Sequence, residues 1–347
     1  MKVCFFGIYN PNYSRNRVLI RGLKENGVEI IECNTKLKGI KKYLDLIKKH
    51  WSIRNKYDIM MVGFPGQQSM ILARFLTRKK IIFDAFTSLY DSLVLDRKIV
   101  ERKSWKAKYY WFLDWLSCRL ANKILLDTNE HIKYFVKTFK IPKEKFIRVF
   151  VGADHSSVAI NNIDNIKEDK KFIVCFYGSY IPLQGVEYII EASKILKNKD
   201  KDIQFNIIGS KIKKKFEDDN LQNVNFIDNL NYSDLLFYIK SADVSLGIFG
   251  NTEKAQRVIP NKIYDAIAVG SAVITADTPA IRELFTNREN IFLCRISNPS
   301  DLVEKIIEIK HDRKLRVKIA NNAYRLFQTK LLPQNIVRSF LKIISSY

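Results

Sequence analysis

The stretch FIVCFYGSYIPLQGVEYIIEA, residues 172–192, decides how the chain is read. Its first six residues are nearly all apolar, as in a strand buried on both faces. Gly178 follows and permits a tight turn or a close approach of backbone to a ligand. From Gln184–Gly185 onward the apolar residues recur at helical spacing. Strand, glycine turn and helix together form the repeating unit of a doubly wound parallel sheet. The helix start offers unpaired N–H groups and partial positive charge, which suit a phosphate. An ordinary strand–helix turn reads the same way.

The alternation extends in both directions. Upstream, strand-like runs fall at 2–7, 28–33, 57–63, 80–84, 123–127 and 147–151, with helical patterns at 15–26, 40–50, 67–77, 101–120 and 130–139. Downstream, strands are expected at 203–209, 224–227, 244–249, 272–276 and 290–294. Helices are expected at 184–197, 233–240, 261–268, 299–309, 312–328 and 334–345. The polar stretch INNIDNIKEDKKF, 159–171, has no apolar period and reads as a linker. The expected fold class is α/β, with two tandem Rossmann-like doubly wound domains at 1–160 and 170–330. A C-terminal helix in 331–347 is expected to pack back on the first domain. Ligands of such sheets bind outside the carboxyl ends of the strands, so the interdomain cleft is the expected site.

Composition agrees with this reading. The length of 347 residues suits two domains, and 47% hydrophobic residues suffice for packed cores. With 13 Gly and 8 Pro, the chain is neither linker-rich nor low-complexity. The net charge of +23 is concentrated early: residues 1–150 hold 31 Lys and Arg against 13 Asp and Glu. That excess favours polyanionic partners, and a solvated Lys-rich surface explains it as well. The five cysteines are odd in number and widely spaced, which argues against a disulfide scaffold or a metal ribbon and fits a reducing compartment. Cys4 and Cys175 lie in strand-like runs and read as small buried hydrophobes. The N-terminus lacks an apolar signal-peptide core, and no run is long enough to span a bilayer.

A second segment, RVIPNKIYDAIAVGSAVITAD at 257–277, crowds polar groups at one helix start. Asn261 reads as the N-cap. Lys262 falls in the first turn, where the helix dipole disfavours a cation unless an anion lies alongside. Asp265 could accept hydrogen bonds from a ribose diol, as acidic residues do in dinucleotide folds, or simply complement the dipole. Gly270 ends the helix as a C′ glycine.

With these residues in view, the second half resembles the donor-binding domain of GT-B glycosyltransferases, of the glycosyltransferase family 4 type (glycosyl transferases group 1). YGSYIPLQGVEYIIEA is similar to the family's G-x-L-x-x-x-K-G strand–turn–helix. YDAIAVGSAVITADTPAIREL, 264–284, resembles the end of its E-x7-E segment. The likeness covers 172 to about 310, and the first half matches in layout only. Ser179 and Gln184 replace the family's Arg and Lys, while Arg257 and Asp265 replace its two glutamates. The resemblance implies retaining transfer of a sugar, of hexosyl type, from a nucleoside-diphosphate sugar to an acceptor hydroxyl. It implies no cofactor and no required metal. Its donor site would comprise Gly178, Ser179, Gln184, Gly185, Lys262, Asp265 and Glu283. Arg257 and Lys262 would supply the missing positive charge, and Glu283 would touch the sugar or cap a helix. On the acceptor side stand Gly7, Arg15, Arg17 and Ser88, with Asp84 as the candidate base at a strand end. His131 reads as a capping or packing residue.

A third segment, DRKIVERKSWKAKYYWFLDWLSCRL at 96–120, interleaves cations with aromatics. Core packing accounts for Trp111, Leu113 and Trp115. The Lys- and Arg-rich start suits an anionic membrane surface, and hence a saccharide or lipid-linked acceptor and a cytoplasmic chain peripheral on the inner membrane face. Two rival readings fit the same residues: a non-catalytic GT-B-like subunit, and a basic nucleic-acid-binding protein, although no nucleic-acid-binding signature is present.

Overall fold

The structure, a computed structural model, describes residues 1–154, 171–219 and 221–345. It divides into two compact units, Met1–Asp154 with Leu331–Tyr347, and His155–Lys330. Apart from Lys171, the expected linker at 159–171 lies outside the described residues, as do the domain boundaries drawn at 160 and 170.

The first unit runs β1 (Lys2–Gly7), α1 (Ser14–Glu25), β2 (Glu29–Asn34), α2 (Lys41–Ile53), β3 (Ile59–Val62) and α3 (Gln67–Leu76). It continues with β4 (Ile81–Asp84), α4 (Trp105–Leu120), β5 (Lys123–Leu126), α5 (Asn129–Phe139) and β6 (Phe146–Arg148). All its strands pair in parallel in the order β2-β1-β3-β4-β5-β6. Successive side chains alternate between the sheet's faces. Cys4, Phe6, Met60 and Phe83 pack with Leu46 of α2, Met70 of α3, Cys118 of α4 and Phe135 of α5. Val3, Phe5, Met61 and Ile82 face the other way, toward Val18, Leu19 and Leu23 of α1. Both faces are covered, which is why the strands read as apolar runs.

The second unit runs β7 (Phe172–Tyr177), α6 (Val186–Lys199), β8 (Ile203–Ile208), α7 (Ser210–Phe216), β9 (Val224–Ile227) and α8 (Tyr232–Ser241). Then follow β10 (Val244–Leu246), α9 (Asn261–Ala268), β11 (Ala272–Ala276), α10 (Pro279–Arg282), β12 (Phe292–Cys294), α11 (Pro299–His311) and α12 (Arg313–Leu326). Its parallel sheet has the order β12-β11-β10-β7-β8-β9, the arrangement of a dinucleotide-binding Rossmann sheet. The last helix, α13 (Pro333–Ser345), returns to the first unit and packs on α1. A Cβ added at Gly22 would lie 2.2 Å from the Pro333 carbonyl oxygen, so the helices cross at a glycine.

Several expectations shift. The helix expected at 101–120 begins at Trp105, where the Ser104 hydroxyl accepts from the Ala107 N–H. The strand expected at 244–249 ends at Leu246, and residues 247–250 follow as loop. Helix α7 was not anticipated: in SKIKKKF only Ile212 and Phe216 are apolar. Asn261 does not cap α9. Pro260 holds the N-cap position in an extended conformation suited to its ring, and Asn261 is the first helical residue. Gly270, at φ 77°, terminates α9 as read. All five cysteines are buried and free. No described helix is long and apolar enough to cross a membrane.

Candidate functional site

The order of the second sheet places β7 beside β10 at its switch point, where the chain leaves to opposite sides. The loops after these strands are fastened to each other. Phe249 N–H donates to the Gln184 carbonyl at 3.0 Å, and Gly250 N–H to that of Leu183 at 3.3 Å. Gly185 is left-handed at φ 64°, and a Cβ there would sit 2.4 Å from the Gly250 nitrogen. Only glycine fits such an approach. Gly178 does different work. A Cβ on it would lie 3.0 Å from both Gln184 Oε1 and Lys262 Nζ, so three residues singled out by sequence converge.

Lys262 is the centre of this convergence. It occupies the second position of α9, is 5% exposed, and donates from Nζ to Gln184 Oε1. Its ammonium stands 3.6 Å from the centre of the Phe176 ring. No carboxylate pairs with it among the described residues. Burial holds its pKa well below the usual lysine value. An amide oxygen and a ring face offset only part of the cost of burying a strongly hydrated cation at a positive helix end. An anion bound at this helix start would offset the remainder.

Asp265 lies one turn into α9. Its carboxylate is engaged within the protein: Tyr232 donates to Oδ1 at 2.8 Å and the Tyr177 hydroxyl donates to Oδ2. Burial, reinforced by Asp265, keeps the Tyr177 pKa well above the usual phenol value. The carboxylate therefore ties β7 and α8 to α9. Neither tyrosine was singled out from sequence, although Tyr177 closes the apolar run immediately before Gly178. Ser179 is exposed. Arg257 lies in the turn before α9, with Nη1 3.2 Å from Glu253. Glu283 closes α10 at its C-terminal end, its N–H donating to the Ala280 carbonyl, while Thr278 caps the N-terminal end.

The acceptor-side expectations mostly give way to internal bonding. Arg15 and Asp84 are fully buried against each other. Arg15 Nη2 lies 2.9 Å from Asp84 Oδ1, Nε 3.1 Å from both oxygens, and Nη1 donates to the Val149 carbonyl at 2.7 Å. Burial raises the Asp84 pKa, the Arg15 charge opposes that, and nearby Asp127 adds to it. A carboxylate enclosed in this way is a structural anchor and not the expected base, and Arg15 has no face left for an acceptor phosphate. Ser88 is likewise buried. Its hydroxyl donates to Asp114 at 2.7 Å, beside the Leu89 and Tyr90 N–H groups. Burial pushes Asp114 up to about 6. Arg17 and Arg21 share Asp154. Gly7 ends β1 at φ 135°, close to the Ser69 hydroxyl. The His131 ring is buried with Nδ1 2.7 Å from Asp127, while Thr128 caps its helix. The i, i+4 spacing of Asp127 and His131 was visible in sequence, but the pairing was not. The described residues contain no group of three or more His, Cys, Asp or Glu that could hold a metal ion.

Residues 159–326 match the family described as glycosyl transferases group 1. Over 220 residues the chain is 23% identical to the N,N'-diacetylbacillosaminyl-diphospho-undecaprenol alpha-1,3-N-acetylgalactosaminyltransferase of Campylobacter jejuni, covering 61% of this chain and 54% of that protein. It is 22% identical to the capsular polysaccharide biosynthesis glycosyltransferase CapM of Staphylococcus aureus, covering 61% and 58%. The chain thus spans a little over half the length of these relatives. Among solved structures, HepE of Anabaena, in complex with UDP and glucose, superposes with TM-score 0.73 at 15% identity over all of both chains. Sucrose-phosphate synthase of Thermosynechococcus elongatus gives 0.74 at 11%, over 99% and 98%. These structures share the fold of two Rossmann-like domains.

Proposed function

We propose that this chain, whose residues 159–326 match the glycosyl transferases group 1 family, transfers a sugar from a nucleoside-diphosphate sugar to an acceptor hydroxyl. The transfer is read as hexosyl, retaining and independent of metal. Buried Lys262, uncompensated by any described carboxylate and set at the start of α9 beside Gly178, carries this reading. As the sugar–phosphate bond breaks, the leaving diphosphate gains negative charge. A preorganised ammonium and the free N–H groups of a helix start stabilise that charge more than they stabilise the ground state. Gln184 positions the ammonium, and Gly178 keeps the approach clear of a side chain. Arg257, in the turn ahead of α9, adds positive charge. The Tyr177 and Tyr232 hydroxyls, held by Asp265, meet the ribose. Ser179 and Glu283 complete the donor side.

The acceptor is read as a saccharide or a lipid-linked saccharide. In support, one relative is named for an undecaprenol diphosphate substrate and another for capsular polysaccharide biosynthesis. The test is a melting-shift and turnover screen with UDP-, GDP-, ADP- and dTDP-sugars, run on the wild type and on Lys262→Met. One donor class should raise the wild-type melting temperature and turn over, and the variant should lose both effects. An unchanged donor shift in Lys262→Met would refute the site. Binding without turnover by the wild type would point to a non-catalytic member instead.

A further inference from the structure

Helices α2, α3 and α4 lie on one face of the first sheet and bury their inner sides in a single core with Leu46, Met70 and Cys118. Their outer sides are not those of ordinary solvated helices. From the N-cap of α2 onward, Ile40, Leu44, Ile47 and Trp51 follow one another at helical spacing, and all are exposed, Ile40 at 76% and Trp51 at 67%. On α4, Trp105, Tyr109 and Phe112 repeat the pattern, with Trp105 exposed at 84%. On α3, which lies between them, Phe75 is exposed at 85%. Cations border these stripes. Residues 36–56 hold eight Lys and Arg with one acid, Asp45, and residues 97–108 hold six with one acid, Glu101. Arg54 stacks 3.9 Å from the Trp51 ring centre, and Lys108 lies 4.6 Å from that of Trp105.

We propose that the outer face of α2, α3 and α4 docks on an anionic lipid bilayer. Large apolar side chains in this number are costly to leave in water and mark an interaction surface. Their chemistry selects the partner. Trp and Tyr favour the headgroup boundary, aliphatic residues enter the acyl region, and flanking Lys and Arg meet anionic headgroups. A protein partner's apolar groove would leave most of the fourteen cations in these two stretches unneutralised, whereas a nucleic acid would leave the aliphatic stripe of α2 without a use. The segment 96–120 showed half of this face in sequence. The α2 stripe and Phe75 complete it. The inference stands apart from the donor site, none of whose residues it uses.

The experiment uses the full chain with vesicles of phosphatidylcholine alone and with vesicles containing equal parts phosphatidylglycerol, sedimented at low and high salt. Expected is binding to the anionic vesicles, weakened by salt. The triple variant W51S/F75S/W105S should bind about tenfold more weakly or worse while melting at the wild-type temperature. Brominated lipid should quench the wild-type tryptophan emission, and a W51F/W105F variant should stay bound and lose most of that quenching. The proposal is overturned if the wild type ignores anionic vesicles. Unchanged binding by the triple variant overturns it too, as does preference for a nucleic acid or self-association through this face without vesicle binding.

Discussion

Replacing Arg15 with methionine would test how the first unit is held together. The guanidinium places hydrogen bonds of 2.9–3.1 Å on Asp84 and donates to the Val149 and Phe150 carbonyls at 2.7 and 3.1 Å. Neither partner's side chain is exposed to solvent. Deleting one member of a buried pair leaves an uncompensated charge and costs about 3–5 kcal/mol. In a unit of this size, each kcal/mol lowers the melting temperature by about 2–4 °C, so the loss should be roughly 6–20 °C. The cost should depend on pH. Burial already raises the Asp84 pKa and Arg15 opposes the rise, so removing Arg15 raises it further. A carboxyl whose folded pKa lies above its unfolded one contributes stability that is complete below the unfolded value and is lost as pH rises through the folded value. Arg15→Met should therefore be least harmful in acid and progressively worse toward neutral and alkaline pH. Thermal unfolding followed by circular dichroism, across pH about 5 to 8, reads this directly. Adding Asp84→Asn to the variant should restore part of the loss by removing the stranded charge. A cost below about 1 kcal/mol, a cost flat in pH, or a double variant no more stable than the single would refute the reasoning. A base whose removal spared the fold and cost only turnover would do the same for Asp84.

Other expectations follow from the second unit. Gly185→Ala combines a left-handed backbone with a Cβ 2.4 Å from the Gly250 nitrogen, so urea unfolding should show a loss of about 2 kcal/mol or more. Lys262→Met removes a buried ammonium whose folded pKa is lowered by burial. Such a group penalises folding below its unfolded pKa and ceases to as pH rises toward that value. The unliganded variant should therefore melt higher than the wild type near neutral pH, with the gap closing in alkali; a lower melting temperature would contradict this. Tyr232→Phe removes the 2.8 Å donor to Asp265 Oδ1 and should cost about 1–3 kcal/mol in chemical denaturation. A variant as stable as the wild type would mean that the contact contributes nothing to holding α8 against α9.

The alternation of apolar runs with amphipathic segments determined the layered architecture without any coordinates, because a strand covered on both faces must be apolar throughout and its covering helices must be apolar on one side. The same local logic exposed Gly178, Gly185 and Lys262, whose residue types conflict with ordinary helix and strand preferences. Helix α7 escaped it because seven residues with two apolar positions carry almost no period. What tertiary structure alone decided is pairing. Arg15 meets Asp84 across 69 positions, Lys262 meets Gln184 across 78, and Tyr177 reaches Asp265 across 88. Nothing local distinguishes a buried arginine from a solvated one, or a free carboxylate from one held by two tyrosines. Those outcomes depend on which loops the strand order brings together at the carboxyl edge of each sheet. The outward turn of Trp51 and Phe75 has the same origin: an amphipathic pattern says that a helix has an apolar side, and only packing shows that a second apolar side was left in the open.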